Sequence, residues 1–187
     1  MSTDPSIYAN IPVNINVMIV IDTDYVKKTY PNPSKDKNKP TGIDHNSQFM
    51  ICTDPRGIVK GQGTADLNFK ANVGDYVSFR GTSIYGNSDD AVIVYGIKYW
   101  SGTDVFNNFT CNVVERTGAA VPDPKSESRD GLPAKNIPVS FTSLDSKVGH
   151  TGTENFYVYF ALYELDDKGN RQDLLGYYYW DPTVTVG

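Results

Sequence analysis

Histidine, cysteine and tryptophan each occur only twice in the 187 residues, and methionine three times. Two imidazoles are sparse material for a zinc site or for nucleophilic catalysis, and no C-x-x-C, H-E-x-x-H or G-x-S-x-G pattern occurs. The longest run of non-aromatic apolar residues, Val17 to Ile21, is far short of the roughly 20 residues of a membrane helix, so membrane insertion is not expected. MSTDPSIYANIPVN lacks the basic region, apolar run and cleavage site of a secretory signal, which makes a cytoplasmic location the expectation. Positive charge is also short, 17 basic against 22 acidic residues for a net −5. That sign argues against a nucleic-acid partner, which would need many phosphates neutralised. Alanine, leucine, glutamate, glutamine and methionine together number only 25, which excludes a helical bundle or coiled coil.

What is abundant instead is valine, isoleucine, threonine, tyrosine, phenylalanine and tryptophan, 68 residues in all. Branched and aromatic side chains fit a pleated surface and lose rotamer freedom in a helix. From Val13 to Asp22 the odd positions are apolar and Asn14, Asn16 and Asp22 sit on even ones, the period-2 pattern of a half-buried strand. A short helical turn is expected from Thr23 or Asp24, ended before Pro31. Further strands are expected over 48–53, 65–71, 76–83, 91–100, 110–117, 139–144, 155–165, 174–180 and 183–186. Turn chemistry separates them, as in Asp54-Pro55-Arg56-Gly57 and Gly86-Asn87-Ser88-Asp89-Asp90. Two long loops remain, 31–47 and 118–138, both proline-rich. The expected fold is therefore all-β: a single domain over 1–187, an antiparallel β-sandwich of Greek-key or jelly-roll type, with a closed barrel as the alternative.

Aspartate makes up 18 of the 22 acidic residues, and aspartate caps turns by bonding nearby amides. Asp22/Asp24, Asp89/Asp90 and Asp166/Asp167 could offer oxygens to calcium, but none is followed by the alternating acidic loop and closing glutamate that calcium loops use. No metal and no cofactor are expected. Cys52 and Cys111 lie in expected strands among apolar neighbours and read as buried, inert thiols. Gly61-Gln62-Gly63-Thr64-Ala65-Asp66 has only half of a dinucleotide fingerprint and leads into a strand, so it reads as a bend. Asn108-Phe109-Thr110 matches a glycosylation pattern without a secretory context.

Trp100 and Trp180 end expected strands beside turns, where rings can stack on a ligand while carboxylates bind hydroxyls. The candidate ligand-binding set is Asp22, Asp24, His45, Trp100, Trp180 and Asp181, with no catalytic residue. Pro182 should make Trp180-Asp181-Pro182 turn sharply, and Asp44 could orient the His45 imidazole. In Asn155–Leu165, Phe156, Val158, Phe160 and Leu162 alternate with Tyr157, Tyr159, Ala161 and Tyr163, a strand sandwiched on both faces or one that presents tyrosines at an interface.

The segments INVMIVIDTDYVKKTYPNPS, NKPTGIDHNSQFMI, GQGTADLNFKANVGDYVSFRGTSI and GYYYWDPTVTV together resemble the bacterial inclusion-body protein family typified by PixA and AidA. The resemblance spans most of the chain. It implies a soluble bacterial protein made abundantly under population-density or phase control, associated with host interaction and in some members with cytoplasmic inclusions, and with no assigned reaction. The namesake is methionine-rich; here only Met1, Met18 and Met50 occur, which argues against sulfur storage. The function expected is a non-enzymatic, self-associating protein of host interaction, with a glycan-binding sandwich as the alternative and a hydrolase as a distant second. The partners expected are a second copy, a dimer first, through an edge strand such as Thr183 to Val186, and a glycan or host protein.

Overall fold

The computed structural model describes residues 11–53 and 55–186. The N-terminal residues 1–10 read for a leader, Asp54 of the expected turn and Gly187 lie outside them. Two five-stranded sheets face each other. The first is ordered β3 (Gln48–Cys52), β1 (Asn14–Ile21), β6 (Tyr76–Ser83), β9 (Lys135–Lys147), β8 (Thr110–Val121). The second is ordered β12 (Thr183–Val186), β10 (Gly152–Leu165), β11 (Gln172–Trp180), β2 (Thr41–Gly42), and β7 (Ala91–Gly102) pairs β10. β4 (Ile58–Lys60) and β5 (Asn68–Phe69) form a small third sheet. The fold is all-β with one short helix, as composition implied, and it is open rather than a barrel.

The expected alternation of β1 is met: Ile15, Val17, Ile19 and Ile21 are buried. Its pairing is not wholly antiparallel. β1 runs antiparallel to β3 but parallel to β6, with Val17 opposite Phe79, and β2 is parallel to β11. A parallel neighbour needs a crossover, and helix α1 (Thr23–Thr29) with the chain through β3, β4 and β5 supplies it. Asp22 is the N-cap, its carboxylate accepting from Tyr25 N–H at 3.1 Å. The expected strand over 65–71 shrinks to Asn68–Phe69, yet Ala65, Leu67, Phe69 and Ala71 are all buried. Alternation there reports burial without a ladder.

Inward residues of both sheets make one apolar cluster, in which Phe79 meets Phe156 edge-on at 6.2 Å and Phe160 stacks on Tyr178 at 5.3 Å. Trp180 is completely buried there, its indole N–H reaching Ala65 O at 3.3 Å. At Gly81 the first sheet lies close against Val94 of the second, and a Cβ there would run into the Val94 side chain.

The Trp180-Asp181-Pro182 segment does not turn sharply. Val158 faces Trp180 and Asn155 faces Thr183, so β12 continues the β11 register along the same edge of β10. Pro182 lacks a donor, but its carbonyl still accepts from Phe156 N–H at 3.1 Å. The outer edge of β12 is partly occupied as well: Thr185 N–H donates to Asn68 Oδ1 at 3.1 Å, and the Asn68 amide reaches Thr185 Oγ1 at 3.1 Å.

The second long loop is shorter than expected, because β8 runs to Val121 and β9 begins at Lys135. β6 pairs β9 only over Leu144–Lys147, so the rest of the β8–β9 hairpin is a two-stranded arm. A register shift between Arg116 and Ala119 marks a bulge around Gly118. Pro138 is tolerated since, among the described residues, the β9 edge away from β8 has no partner there. Cys111, expected buried, is exposed at the root of this arm, whereas Cys52 is buried. Gly81→Val should lower unfolding free energy by roughly 1–3 kcal/mol through overpacking between the sheets; urea denaturation checks this, and an unchanged midpoint would show that the sheets separate freely there.

Candidate functional site

The outer face of the second sheet is built from the positions that alternate with the core residues. Tyr157 and Tyr159 on β10 and Tyr179 on β11 project from it, half-buried, and Tyr95 on β7 joins them. The rings form a continuous set. Trp100 stacks on Tyr157 at 5.7 Å and 15°, Tyr157 stacks on Tyr159 at 6.0 Å, and Tyr179 meets Tyr157 edge-on at 4.9 Å. Tyr95 closes the far end against Tyr159 at 5.8 Å and Tyr177 at 5.5 Å. Such pairs add about 0.5–1.5 kcal/mol each beyond area burial. The Lys98 ammonium lies over the Tyr159 ring, 5.2 Å from its centroid. Burial, together with the charge Tyr159 and Tyr177 would carry, pushes the Tyr95 phenol up to about 12.

The loop expected over 31–47 is ordered along one margin of this face. Tyr177 N–H donates to Ser34 O at 2.9 Å, the Tyr95 hydroxyl donates to Lys37 O at 2.9 Å, and Gly42 lies flat against the Tyr179 ring. A Cβ on residue 42 would stand 3.0 Å from that ring.

His45 ends this loop at the rim. Its Nδ1 is 2.9 Å from Asp66 Oδ1 and its Nε2 is 3.2 Å from Asp181 Oδ1. The imidazole therefore ties the 31–47 loop to the Gly61–Asp66 bend and to the β11–β12 junction. Burial disfavours its cation, but the bonds to Asp181 and Asp66 outweigh that and raise its pKa above the ordinary value. Asp44 does not orient the ring. Its carboxylate accepts from the Tyr25 hydroxyl at 2.6 Å and from the Asn46 amide at 2.8 Å.

The six candidate residues thus separate. His45 and Asp181 come together, and Trp100 lies on the ring face, 45% exposed. Asp22 caps α1, and Asp24 accepts from the Tyr85 hydroxyl at 2.7 Å. Trp180 is corrected outright: period-2 alternation turns it inward from Asp181, and no ligand can reach it. Asp66, Tyr95 and Tyr177 belong to the site but were not among the candidates. Tyr177 could have been found from its alternation with Tyr178; the meeting of Asp66 with His45, far apart in sequence, had no local signal. Among the described residues no group of three or more His, Cys, Asp or Glu stands close enough to hold a metal ion, and no helix is long and apolar enough to cross a membrane.

The PixA inclusion body protein family model matches residues 13–186. The chain belongs to the PixA inclusion body protein family. A crystal structure of the inclusion body protein PixA from Burkholderia cenocepacia J2315 is similar to it, with 33% identity and a TM-score of 0.82 over 95% of this chain and 98% of that one. No curated protein matches. The family model spans the whole ring face and the His45 rim, from β1 through β12.

Because the folded-state pKa of His45 lies above its unfolded value, its contribution to stability is complete below about pH 6.5 and is lost as pH rises through the folded pKa. Thermal midpoints of the protein and of His45→Ala should therefore converge on going from pH 6 to mildly alkaline conditions. A gap that is constant with pH would show that the ring acts by packing alone.

Proposed function

We propose that this family member is a non-enzymatic inclusion body protein of the bacterial cytoplasm that self-associates through the outer face of its first sheet and serves in interaction with a host. The observation that carries self-association is the composition of that face. A sheet with one side in water normally alternates apolar-in and polar-out. Here the register sets Met18 beside Ile51 and Val20 beside Phe49, on the side of β1 away from the core. Val114 and Phe141 are paired farther along the same face, on the arm. Ile51 is 52% exposed and Phe141 48%; they belong to two apolar patches separated by Ser78, Arg80 and Asp145, and exposed apolar patches rimmed by polar groups mark an interaction surface. A cavity of about 490 Å³ with Arg80, Val114, Arg116 and Phe141 in its lining indents it.

The occupant follows from the family. An inclusion is a dense phase in which copies of one protein are the predominant neighbours, so an adhesive face meets another copy. A non-enzymatic role is supported by the state of the imidazoles: His45 is held between two carboxylates and His150 bonds the Asp104 carbonyl, so neither is paired with a hydroxyl or thiol nucleophile. The role in host interaction rests on the family resemblance alone. Sedimentation velocity should find species heavier than the 20.7 kDa chain, and Phe49→Lys with Ile51→Lys should return them to monomers with an unchanged thermal midpoint. A wild-type protein strictly monomeric at high micromolar concentration sinks the proposal.

A further inference from the structure

We infer that the cleft between the free edge of β7 and the 103–109 loop, floored by Glu154, is a binding site for a neutral saccharide. This cleft lies apart from both the ring face and the apolar face, and has a volume of about 760 Å³, within the roughly 300–1,000 Å³ of small-ligand sites.

Its construction is specific. β7 pairs β10 along one edge, and among the described residues no ladder forms on its other edge, along which Ile97–Tyr99 border the cleft. Glu154 is only 2% exposed. Its Oε2 accepts from Val105 N–H at 2.6 Å and Phe106 N–H at 3.1 Å, while among the described residues no donor bonds Oε1. Oε1 is not sealed from the cleft, and there water or a ligand hydroxyl completes its hydrogen bonding. Burial, with the charge of Asp104 adding to it, lifts its pKa above the ordinary carboxylate value, and the two backbone amides offset this only in part.

The remaining lining selects the ligand class. His150 Nδ1 lies 2.8 Å from the Asp104 carbonyl oxygen; a carbonyl only accepts, so Nδ1 carries a proton and donates it, which leaves Nε2 for a ligand. Asn107 and Asn108 add amides that both donate and accept. The one cationic side chain of the lining, Lys98, has its ammonium over the Tyr159 ring on the outer face of the sheet, so an anionic ligand would meet Glu154 and Asp104 without a counter-charge. Tyr99, 47% exposed, offers a ring wall, its hydroxyl already committed to Gly102 O at 3.0 Å. Acceptors, amides, one buried acid and an aromatic wall match the hydroxyls and the C–H face of a sugar.

The test uses the full chain, with saturation-transfer NMR and calorimetric titration of methyl glycosides of glucose, galactose, mannose and N-acetylglucosamine, and of lactose and maltose. One stereochemical class should bind. Tyr99→Ala and His150→Ala, both at exposed positions, should weaken it at least about tenfold with circular dichroism unchanged, and Glu154→Gln should do the same. If Glu154→Gln fails to fold, the two exposed variants decide. Absence of transfer at about 10 mM, a concentration that detects even millimolar affinities, would overturn the inference. So would affinities that the variants leave intact, or an extended peptide that competes for β7 while no glycoside binds.

Discussion

The two-residue period of β10 is the constraint on which the rest of the molecule depends. Successive side chains of a strand point to opposite faces, and β10 is paired on both edges, by β7 on one and by β11 and β12 on the other. Its residues therefore cannot rotate to share a face. Phe156, Val158, Phe160 and Leu162 are committed to the core, while Tyr157 and Tyr159 are committed to the outside. Register then transmits the choice: Trp180 must be inward because it faces Val158, and Asp181 must be outward because it follows Trp180. A slip by one residue would exchange a phenylalanine core for a tyrosine one.

This explains how much the sequence made legible. The alternation in β1, β6 and β10 is local, and their spans fell within a few residues of those expected. The inward and outward sets of β10 were likewise visible, though not which set faced the core, since both are aromatic. Pairing partners were not visible. That β1 lies parallel to β6 depends on contacts between residues sixty-two apart, such as Asn14 and Tyr76. The β8–β9 arm was hidden by Gly118 and Pro138, which read as loop residues because their usual cost in a ladder vanishes where the strand has a free edge or a bulge. Of the candidate site, His45 and Asp181 were singled out separately, but nothing local could show that Asp66 completes the pair. Trp180 was misplaced because its position before Asp-Pro looked like a chain reversal, whereas the strand resumes in the same register.

The two outward faces differ in physical character although both are rich in large side chains. Rings on the second sheet are satisfied by one another and by the 31–47 loop, and their hydroxyl ends keep the surface wettable. The face of the first sheet carries apolar groups at its β3–β1 margin and on the arm, uncovered among the described residues, on either side of a polar middle of Ser78, Arg80, Thr82, Ser143 and Asp145; the Arg80 guanidinium donates to Asn16 Oδ1 at 2.8 Å. One face is therefore finished within the monomer and the other is not. The Glu154 cleft differs from both, being concave and polar at its floor.

The parallel pairing of β1 also imposes an order in time. While the chain is being synthesised, β1 has emerged long before β6 exists, and at roughly 5–20 residues per second the ribosome needs several seconds to deliver the missing neighbour. During that interval β1, whose Val17–Ile21 half is apolar on both faces, has, at best, β3 along one side. Wherever many ribosomes translate the chain together, many nascent copies are in this half-built condition at once. The speed of translation across residues 22–76, set by codon choice rather than by the finished contacts, thereby influences how much product reaches the ordered sandwich before neighbouring chains can claim the open strand.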